Sequence, residues 1–144
     1  MIKVFNQNLM PETGYFHSTE FTVRDYECDI QGVVNNANYQ HYLEHARHEF
    51  LISCGISFAR LHEEGIDLIV TKVEIEYKFP LRSRDGFLVQ TNIHKEGNIR
   101  LLFLQDIYRT DDMKLIVRAK VTGAATKNGK PVYPGEVFKK LGLD

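Results

Sequence analysis

The segment Asn36–Cys54, NANYQHYLEHARHEFLISC, decides the fold because it has the period of a helix in a chain that otherwise alternates with period two. Its apolar side chains recur at intervals of three and four residues: Tyr39, Tyr42, Leu43, Ala46, Phe50 and Cys54. The opposite face carries mostly charged residues and histidines. Asn35 or Asn36 can cap the start of a helix, and Gly55 can end it. The segment is therefore predicted to form one long amphipathic helix.

The sequence on both sides of this helix predicts β-strands. Before it, Ser18–Tyr26 alternates apolar and polar residues, as a half-buried strand does. After a short predicted helix at Phe58–Glu64, four more strands alternate and are separated by turns short enough for hairpins. Their core-facing residues are Val73, Ile75, Tyr77, Phe79, Phe87, Val89, Thr91, Ile93, Leu101, Phe103, Ile107, Leu115, Val117, Ala119 and Val121. The prediction is an α+β domain in which a long, curled antiparallel sheet wraps one central helix.

A second apolar surface is expected on the outer face of this sheet. Leu102, Leu104 and Tyr108 fall on the strand face that points away from the helix. One helix covers only one face, so a second copy of the chain should cover part of the other. Residues 1–144 are then a single domain, with 1–17 as a tail or edge element. The expected assembly is a homodimer or homotetramer.

Composition and charge exclude several classes of protein. Eighteen Lys and Arg against nineteen Asp and Glu give a formal charge of −1, whereas nucleic-acid binders need a basic surface to neutralise phosphates. No segment approaches the roughly 18 apolar residues of a membrane span, and the N-terminus has no signal-peptide pattern. Cys28 and Cys54 do not have the spacing of a metal site or disulfide framework. We therefore expect a cytoplasmic protein with free thiols.

The segment between the first strand and the long helix is the richest in candidate chemistry. Asp25–Tyr39, DYECDIQGVVNNANY, places three acids within five residues, ahead of a glycine and a helix N-terminus. Unpaired N–H groups at that terminus can polarise a carbonyl, and a nearby carboxylate can attack it or activate water. The alternative is structural, with Asp29 as a turn residue and Asn35 and Asn36 as helix caps. Spacing alone favours the structural interpretation.

Two motifs resemble the signature of the hot-dog-fold thioesterases: Asp29-x-x-Gly32-Val33-Val34-Asn35-Asn36-x-Asn38-Tyr39 and Tyr42-Leu43-Glu44-x-Ala46-Arg47. The most similar branch is the 4-hydroxybenzoyl-CoA thioesterase-like group, including the Tol-Pal-associated acyl-CoA thioesterases. The resemblance extends over about residues 18–136 and includes Ile75-Glu76-Tyr77-x-x-Pro80 and Asp85. It implies a hot-dog fold and hydrolysis of an acyl-CoA or acyl-carrier-protein thioester to a free acid and a thiol. No metal or other cofactor is implied.

The resemblance also implies roles for residues in the loop. The catalytic carboxylate falls on Asp29, and the polarising N–H groups fall at the helix start, around Val34, Asn35 and Asn36. The Tol-Pal-associated branch usually has a histidine where this chain has Asn36. The Asn36 side chain can donate a hydrogen bond to a carbonyl or a water, but it cannot shuttle a proton near neutral pH. The Asn35-Asn36 pair is instead similar to acyl-ACP thioesterase relatives. The resemblance therefore leaves two carriers for the acyl group, coenzyme A and acyl carrier protein.

Other residues are expected to support this site. The family pattern places Gly32, Tyr39 and Glu44 in supporting positions, Glu44 by orienting the loop or by pairing with Arg47. An exposed surface charge is an equal alternative for Glu44. Arg82 and Arg84 are candidates for binding the phosphates of coenzyme A, although the favoured interpretation of either one taken singly is an ordinary turn residue.

Two further enzymatic or binding functions compete with hydrolysis. Hot-dog hydratases and dehydratases typically pair a histidine with an acid, but no histidine lies between Asp25 and Asn36. A non-catalytic acyl-thioester-binding protein is the other alternative, although an acid beside an acyl thioester serves binding poorly. His41, His45 and His48 have a spacing that can bind a metal, yet their face is charged, so no metal site is expected. Cys28 is not expected to be a nucleophile, because no histidine lies at an evident partnering position.

Overall fold

The computed structural model describes residues 16–143, which form a six-stranded sheet and three α-helices. The elements in chain order are β1 (Phe16–Thr22), α1 (Asn36–Ser53), α2 (Phe58–Glu63), β2 (Ile66–Tyr77), β3 (Gly86–Glu96), β4 (Arg100–Arg109), β5 (Lys114–Lys127), β6 (Lys130–Pro131) and α3 (Gly135–Lys140). A 3₁₀ turn, Asp25–Glu27, lies between β1 and α1. Most of the tail or edge element predicted at 1–17 lies outside the described residues.

The sheet is antiparallel throughout, with the strand order β1-β3-β4-β5-β2 and β6 added beside β5. Within the described residues, β1 and β2 are therefore the edge strands, and Phe16 and His17, the end of the segment predicted as a tail or edge element, lie in β1. The long helix α1 packs on the inner face, against β3 and β1. The predicted α+β hot-dog fold, a curled antiparallel sheet around a central helix, is confirmed.

The start and the buried face of α1 follow from local sequence. The Asn35 side-chain oxygen accepts a hydrogen bond from the Ala37 amide at 2.9 Å, which satisfies one of the unpaired donors of the first turn. Leu43, Ala46 and Phe50 are all buried against the sheet. None of the helices in the described range is long and apolar enough to cross a membrane.

At the ends of the fold, one predicted boundary is wrong and one helix was not predicted. The first strand ends at Thr22 rather than Tyr26, because the chain turns into the 3₁₀ segment Asp25–Glu27. The helix α3 was not predicted, since six residues are too few for a clear helical period. Its Val137 and Phe138 are buried in the same core cluster as the C-terminal half of α1.

The inner face of β2 is more exposed than its alternation predicted. Val73 is 38% exposed and Tyr77 is 47% exposed, as is Phe79, which follows the end of β2. Alternation shows that a strand has an apolar face, but a strand at the sheet edge leaves that face partly uncovered. Because β2 pairs with β5 alone in the described structure, these side chains lie at an open edge.

The outer face of the sheet carries the apolar side chains that the sequence placed there. Leu102, Leu104 and Tyr108 alternate with the core residues of β4 and are only partly buried. Beside them, the Asp106 carboxylate accepts two hydrogen bonds from the Arg118 guanidinium, at 3.0 and 3.2 Å. This bidentate ion pair crosses the β4–β5 register, in which the two residues are direct partners.

Candidate active site

The site that the sequence singled out is a tight loop, Cys28–Val34, called here the Asp29 loop. Its ends are joined by an antiparallel bridge between Cys28 and Val34. The Asp29 amide donates to the Val33 carbonyl at 2.8 Å, and the Gly32 amide donates to the Asp29 carbonyl at 2.9 Å. Gly32 has φ +81°, a left-handed conformation that glycine adopts without steric cost. Gly32 thus supports the site by allowing the loop to close.

The Asp29 side chain is exposed, and backbone hydrogen bonds hold one of its oxygens. Asp29 Oδ1 accepts from the Gln31 amide at 2.8 Å and, more weakly, from the Val33 amide at 3.4 Å. These bonds are the structural role that spacing alone favoured. Within the described residues, Asp29 Oδ2 accepts no hydrogen bond. The carboxylate is therefore oriented by the loop and keeps one oxygen free for a ligand or a water.

The amide groups at the start of α1 are not equivalent. The Val34 amide donates to the Leu81 carbonyl at 2.8 Å, and the Asn35 amide donates to the Glu27 carbonyl at 2.9 Å. Both are engaged in the protein, which corrects the expectation that they can polarise a substrate carbonyl. The Asn36 amide has no acceptor among the described residues. It is the remaining candidate in the predicted set of Val34, Asn35 and Asn36.

A second segment, the connection between β2 and β3, supports the Asp29 loop. Val33 forms an antiparallel bridge with Arg82, next to the bond between Val34 and Leu81. The hydroxyl of Tyr39 accepts a hydrogen bond from the Leu81 amide at 3.0 Å. Tyr39 is 2% exposed, and burial raises the pKa of its hydroxyl. The Tyr39 hydroxyl therefore links α1 to this connection, which in turn pairs with the loop.

The two arginines proposed for phosphate binding lie in the same connection. Arg82 is exposed and lies opposite Val33 of the loop. Arg84 is exposed, has φ +71°, and donates its amide to the Val23 carbonyl at 3.0 Å. Neither guanidinium has a hydrogen bond or an ion pair within the described range. Two unpaired cations thus lie on the segment that contacts the loop.

The other acids of the segment have structural partners that the sequence did not reveal. Glu27 Oε1 accepts hydrogen bonds from the Tyr42 hydroxyl and the Arg24 amide, both at 2.8 Å. Burial and this bond to Glu27 raise the pKa of Tyr42. Asp25 accepts a hydrogen bond from Ser83, so it is tied to the β2–β3 connection. Glu27 follows Arg24 by three residues, which is the spacing of a capping box. This spacing was the sequence signal for the bond between the Arg24 amide and Glu27.

Glu44 is exposed, as in the alternative that the sequence left open, and it does not form the ion pair with Arg47 that was the other possibility. Instead, Arg47 Nη1 donates to Gln105 Oε1 at 3.0 Å, a contact between α1 and β4 that sequence reasoning missed.

The histidines and cysteines of the region are not arranged as a catalytic or metal centre. His45 packs edge-on against Phe21, whereas His48 packs against Phe58. In the part of the chain that the structure describes, no three His, Cys, Asp or Glu side chains are grouped to hold a metal. Burial and the neighbouring acids raise the pKa of the Cys28 thiol, which disfavours its nucleophilic thiolate.

Comparison with known proteins points to one family. The chain matches the Thioesterase-like superfamily over residues 23–140. A chloroplastic acyl-acyl carrier protein thioesterase of Arabidopsis thaliana is 40% identical over 115 residues, covering 80% of this chain and 61% of that protein. An acyl-CoA thioesterase of Haemophilus influenzae is 31% identical over 121 residues, covering 81% of this chain and 89% of that protein.

A solved structure is similar to this chain in both fold and sequence. The crystal structure of a hypothetical protein from Aquifex aeolicus has a TM-score of 0.81 and 32% identity, covering 87% of this chain and 98% of that one. The chain spans about three fifths of the length of the plant relatives it matches. The family match covers most of the chain and includes the Asp29 loop and α1. The chain therefore belongs to the thioesterase-like superfamily.

Proposed function

We propose that this protein hydrolyses acyl thioesters of coenzyme A or of an acyl carrier protein. One observation carries the proposal: a single hydrogen-bonded loop presents a carboxylate with an oxygen that accepts no hydrogen bond in the described structure, Asp29 Oδ2, and leads into a helix whose Asn36 amide has no acceptor there. An acid and an oxyanion donor are the two kinds of group that catalyse acyl transfer. The family relationship supports the same reaction.

In the proposed mechanism, the Asn36 amide donates to the thioester carbonyl oxygen and stabilises the negative charge that develops there. One such donor typically contributes about 10²- to 10³-fold to the rate. Asp29 either removes a proton from a water that attacks the carbonyl carbon, or attacks that carbon itself. In both cases the C–S bond then breaks and the sulfur leaves as a thiol after protonation. With water as the attacking group the acyl group leaves directly as a free acid, whereas attack by Asp29 leaves a mixed anhydride that a water then hydrolyses to the free acid and the Asp29 carboxylate. The Asn36 side-chain amide can orient the carbonyl or the water.

A cavity beside α1 can accommodate the acyl chain. It has a volume of about 330 Å³ and lies between α1, α2 and the inner face of the sheet near β2. Most of its lining is apolar, including Leu51, Phe58, Leu101 and Phe103. This lining suits a hydrophobic acyl or aryl group.

The proposed assembly is a homodimer formed through the β2 edge. β2 is an edge strand of 12 residues that pairs with β5 on one side and with no described strand on the other, which makes it a template for pairing with a second copy. Its exposed apolar side chains, Ile69, Val70, Val73 and Tyr77, would be covered by such pairing. Ile69 and Val70 also line the acyl cavity, so a partner strand would help to close it. A tetramer would add contacts through the outer face, at Leu102, Leu104 and Tyr108.

Arg82 and Arg84 are proposed to bind the phosphates of the carrier, because they are exposed, unpaired within the described residues and adjacent to the Asp29 loop. Both coenzyme A and the phosphopantetheine arm of a carrier protein bear phosphate. The reaction is proposed to need no metal and no cofactor. A cytoplasmic location is proposed on the basis of Cys28 and Cys54, which are free thiols.

The test is thiol release from a panel of thioesters, from acetyl to palmitoyl and including benzoyl types, presented on coenzyme A and on acyl carrier protein. Hydrolysis of at least one thioester is expected, and dialysis against a chelator should leave the rate unchanged. Stoichiometric binding without thiol release would indicate a binding protein. Hydration of an enoyl thioester without thiol release would indicate a hydratase. Either result contradicts the proposal.

A further inference from the structure

Arg47 places a guanidinium in the wall of the acyl cavity. The residue lies on α1, is partly buried and lines the cavity together with Leu51, Phe58, Leu101 and Phe103. Its guanidinium carbon lies 5.9 Å from the centre of the Phe103 ring. A cation in a largely apolar cavity is costly unless it has a partner, so its contacts decide what it does.

A buried glutamine holds this guanidinium in place. Arg47 Nη1 donates to Gln105 Oε1 at 3.0 Å. Gln105 is fully buried, and its Nε2 donates to the Leu43 carbonyl and to Thr91 Oγ1, both at 3.1 Å. Because both ends of the amide are engaged, its orientation is determined and its oxygen faces Arg47. The arginine is therefore anchored at one of its five donors.

Glu44 lines the same cavity as Arg47, but the two side chains do not form an ion pair. None of the carboxylates of residues 16–143 forms an ion pair with Arg47. Burial lowers the pKa of Arg47, and the more distant charge of Glu44 opposes that shift. The hydrogen bond to Gln105 uses one N–H group, and the other N–H groups have no acceptor among the described residues. The cavity wall thus contains a guanidinium that is held in place by one hydrogen bond and has further N–H groups available to a ligand.

The helix aligns this donor group with the proposed oxyanion donor. Asn36 and Arg47 are eleven residues apart, which is about three turns, so they lie on nearly the same face of α1. Their backbone positions are separated by roughly 16 Å along the axis. Long side chains on a helix lean toward its N-terminus, which brings the guanidinium closer to the Asn36 end. An acyl chain that runs along this face from Asn36 would therefore reach Arg47.

We propose that Arg47 determines substrate specificity by binding an acceptor oxygen, a carboxylate or a keto oxygen, carried by the acyl chain away from the thioester. This inference rests on the proposed thioesterase function and names its substrate class. A carboxylate would form a bidentate, charge-assisted pair with the guanidinium, and a keto oxygen would accept one hydrogen bond. A plain alkyl chain would leave these donors without an acceptor.

The test compares substrates that differ only at the chain end: octanoyl-CoA, suberoyl-CoA, and octanoyl-CoA with a keto group beside its terminal methyl. We expect the wild type to prefer at least one oxygen-bearing chain by at least ~10-fold in kcat/KM. Arg47→Met should reduce that preference by at least ~10-fold, because methionine keeps the apolar stem but removes the donors. The better oxygen-bearing substrate distinguishes carboxylate from keto recognition. Arg60→Met removes an exposed arginine outside this cavity and should leave the preference unchanged.

Each outcome decides the inference. Equal use of all three chains by the wild type, or an unchanged preference in Arg47→Met, overturns it. If Arg47→Met does not fold, Arg47→Lys serves instead, since it keeps the charge but loses the planar set of donors. If no thioester is hydrolysed, the proposed function fails, and thermal unfolding with free acids still tests Arg47. Suberate or the keto acid should then raise the Tm of the wild type and not of the variant, and no such difference would overturn the inference.

Discussion

The Tyr39 hydroxyl accepts a hydrogen bond from the Leu81 amide at 3.0 Å, which links α1 to the connection between β2 and β3. The carbonyl of the same Leu81 accepts the Val34 amide at 2.8 Å. One residue of the connection therefore contacts both the helix and the Asp29 loop. The Asn36 amide, which has no acceptor among the described residues, lies two residues after Val34, so its position depends on both contacts.

Replacement of Asp29 by asparagine should abolish most of the proposed activity. The amide oxygen can still accept from the Gln31 amide, so the loop should keep its shape while the negative charge is lost. Loss of a general base typically costs about 10²- to 10⁴-fold, and we expect kcat to fall by at least ~100-fold with little change in KM. The measurement is steady-state thiol release on the best thioester of the panel.

Asp112→Asn is a matched control for this variant. Asp112 Oδ1 accepts the amide of Lys114, two residues later, as Asp29 Oδ1 accepts that of Gln31. It lies between β4 and β5, in a different turn from the proposed site. Its kcat should stay within about threefold of wild type. An Asp29→Asn protein that keeps more than about a third of wild-type turnover would show that the site is assigned wrongly.

Gly32→Ala should impair catalysis beyond its effect on stability. No atom lies within 4 Å of an added Cβ, so the cost comes from the left-handed backbone, about 1 kcal/mol. Gly97 has φ +64° in the β3–β4 turn and is equally open around its Cβ, which makes Gly97→Ala a matched control. Both variants should lower Tm by similar amounts, but only Gly32→Ala should reduce kcat by more than ~10-fold. Equal kcat values in the two variants would contradict a catalytic role for the loop.

Tyr39→Phe should destabilise the fold, because it leaves the Leu81 amide without its acceptor. An unsatisfied buried donor costs about 1–3 kcal/mol, measurable as a lower free energy of unfolding in urea. Tyr77→Phe is the control, since Tyr77 is 47% exposed and its ring packs against Tyr39 at 5.5 Å. That change should stay within about 0.5 kcal/mol of wild type. A stable Tyr39→Phe protein would show that this hydrogen bond adds little.

Stability should decline below neutral pH partly because of His17. Its ring stacks on Phe50 at 5.4 Å, and burial lowers the pKa of His17, with the charge of Glu49 acting in the opposite direction. A lowered pKa in the folded state means that the unfolded chain binds the proton more readily. The stabilisation from neutral His17 is therefore present above its unfolded pKa, about 6.5, and is lost as the pH falls through the folded value.

Urea unfolding between neutral and mildly acidic pH measures this effect. His17→Phe keeps an aromatic ring against Phe50 but cannot be protonated, so its stability should fall less steeply with decreasing pH. His41→Gln, at an exposed position of α1, should follow the wild-type curve more closely than His17→Phe does. Identical slopes for wild type and His17→Phe would rule out a contribution from His17.

The proposed dimer should depend on apolar side chains of β2. Val70 is 49% exposed on this edge strand, and Val70→Lys should weaken dimerisation by at least ~10-fold, because it introduces a charge where a second strand would pack. Ile52→Lys, at a 56% exposed position on α1, is the matched control and should not change the assembly. Sedimentation over a concentration series provides the measurement. A wild type that is monomeric at micromolar concentration would contradict the proposed dimer.

The sequence by itself determined the features that depend on near neighbours in the chain. The period of α1, its Asn35 cap and the alternation along β3, β4 and β5 follow from intervals of two to four residues, which local geometry imposes. The tight turn at Gly32 also depends on near neighbours, since the Gly32 amide donates to the Asp29 carbonyl three residues earlier. The family resemblance rests on such short motifs, which is why it identified the fold and the candidate loop. The short helix α3 was not predicted, because six residues are too few to show a helical period.

Only the tertiary structure decided the features that depend on distant partners. Val34 and Asn36 are close in sequence, yet of these two amides only that of Val34 has an acceptor among residues 16–143, because Leu81 folds back against it. The Arg47–Gln105 contact joins residues 58 positions apart, and no periodic pattern predicts it. Likewise, the strand order makes β2 an edge, so side chains predicted to face the core stay exposed. Local sequence limits which groups are available, but long-range packing determines which of them remain free for chemistry.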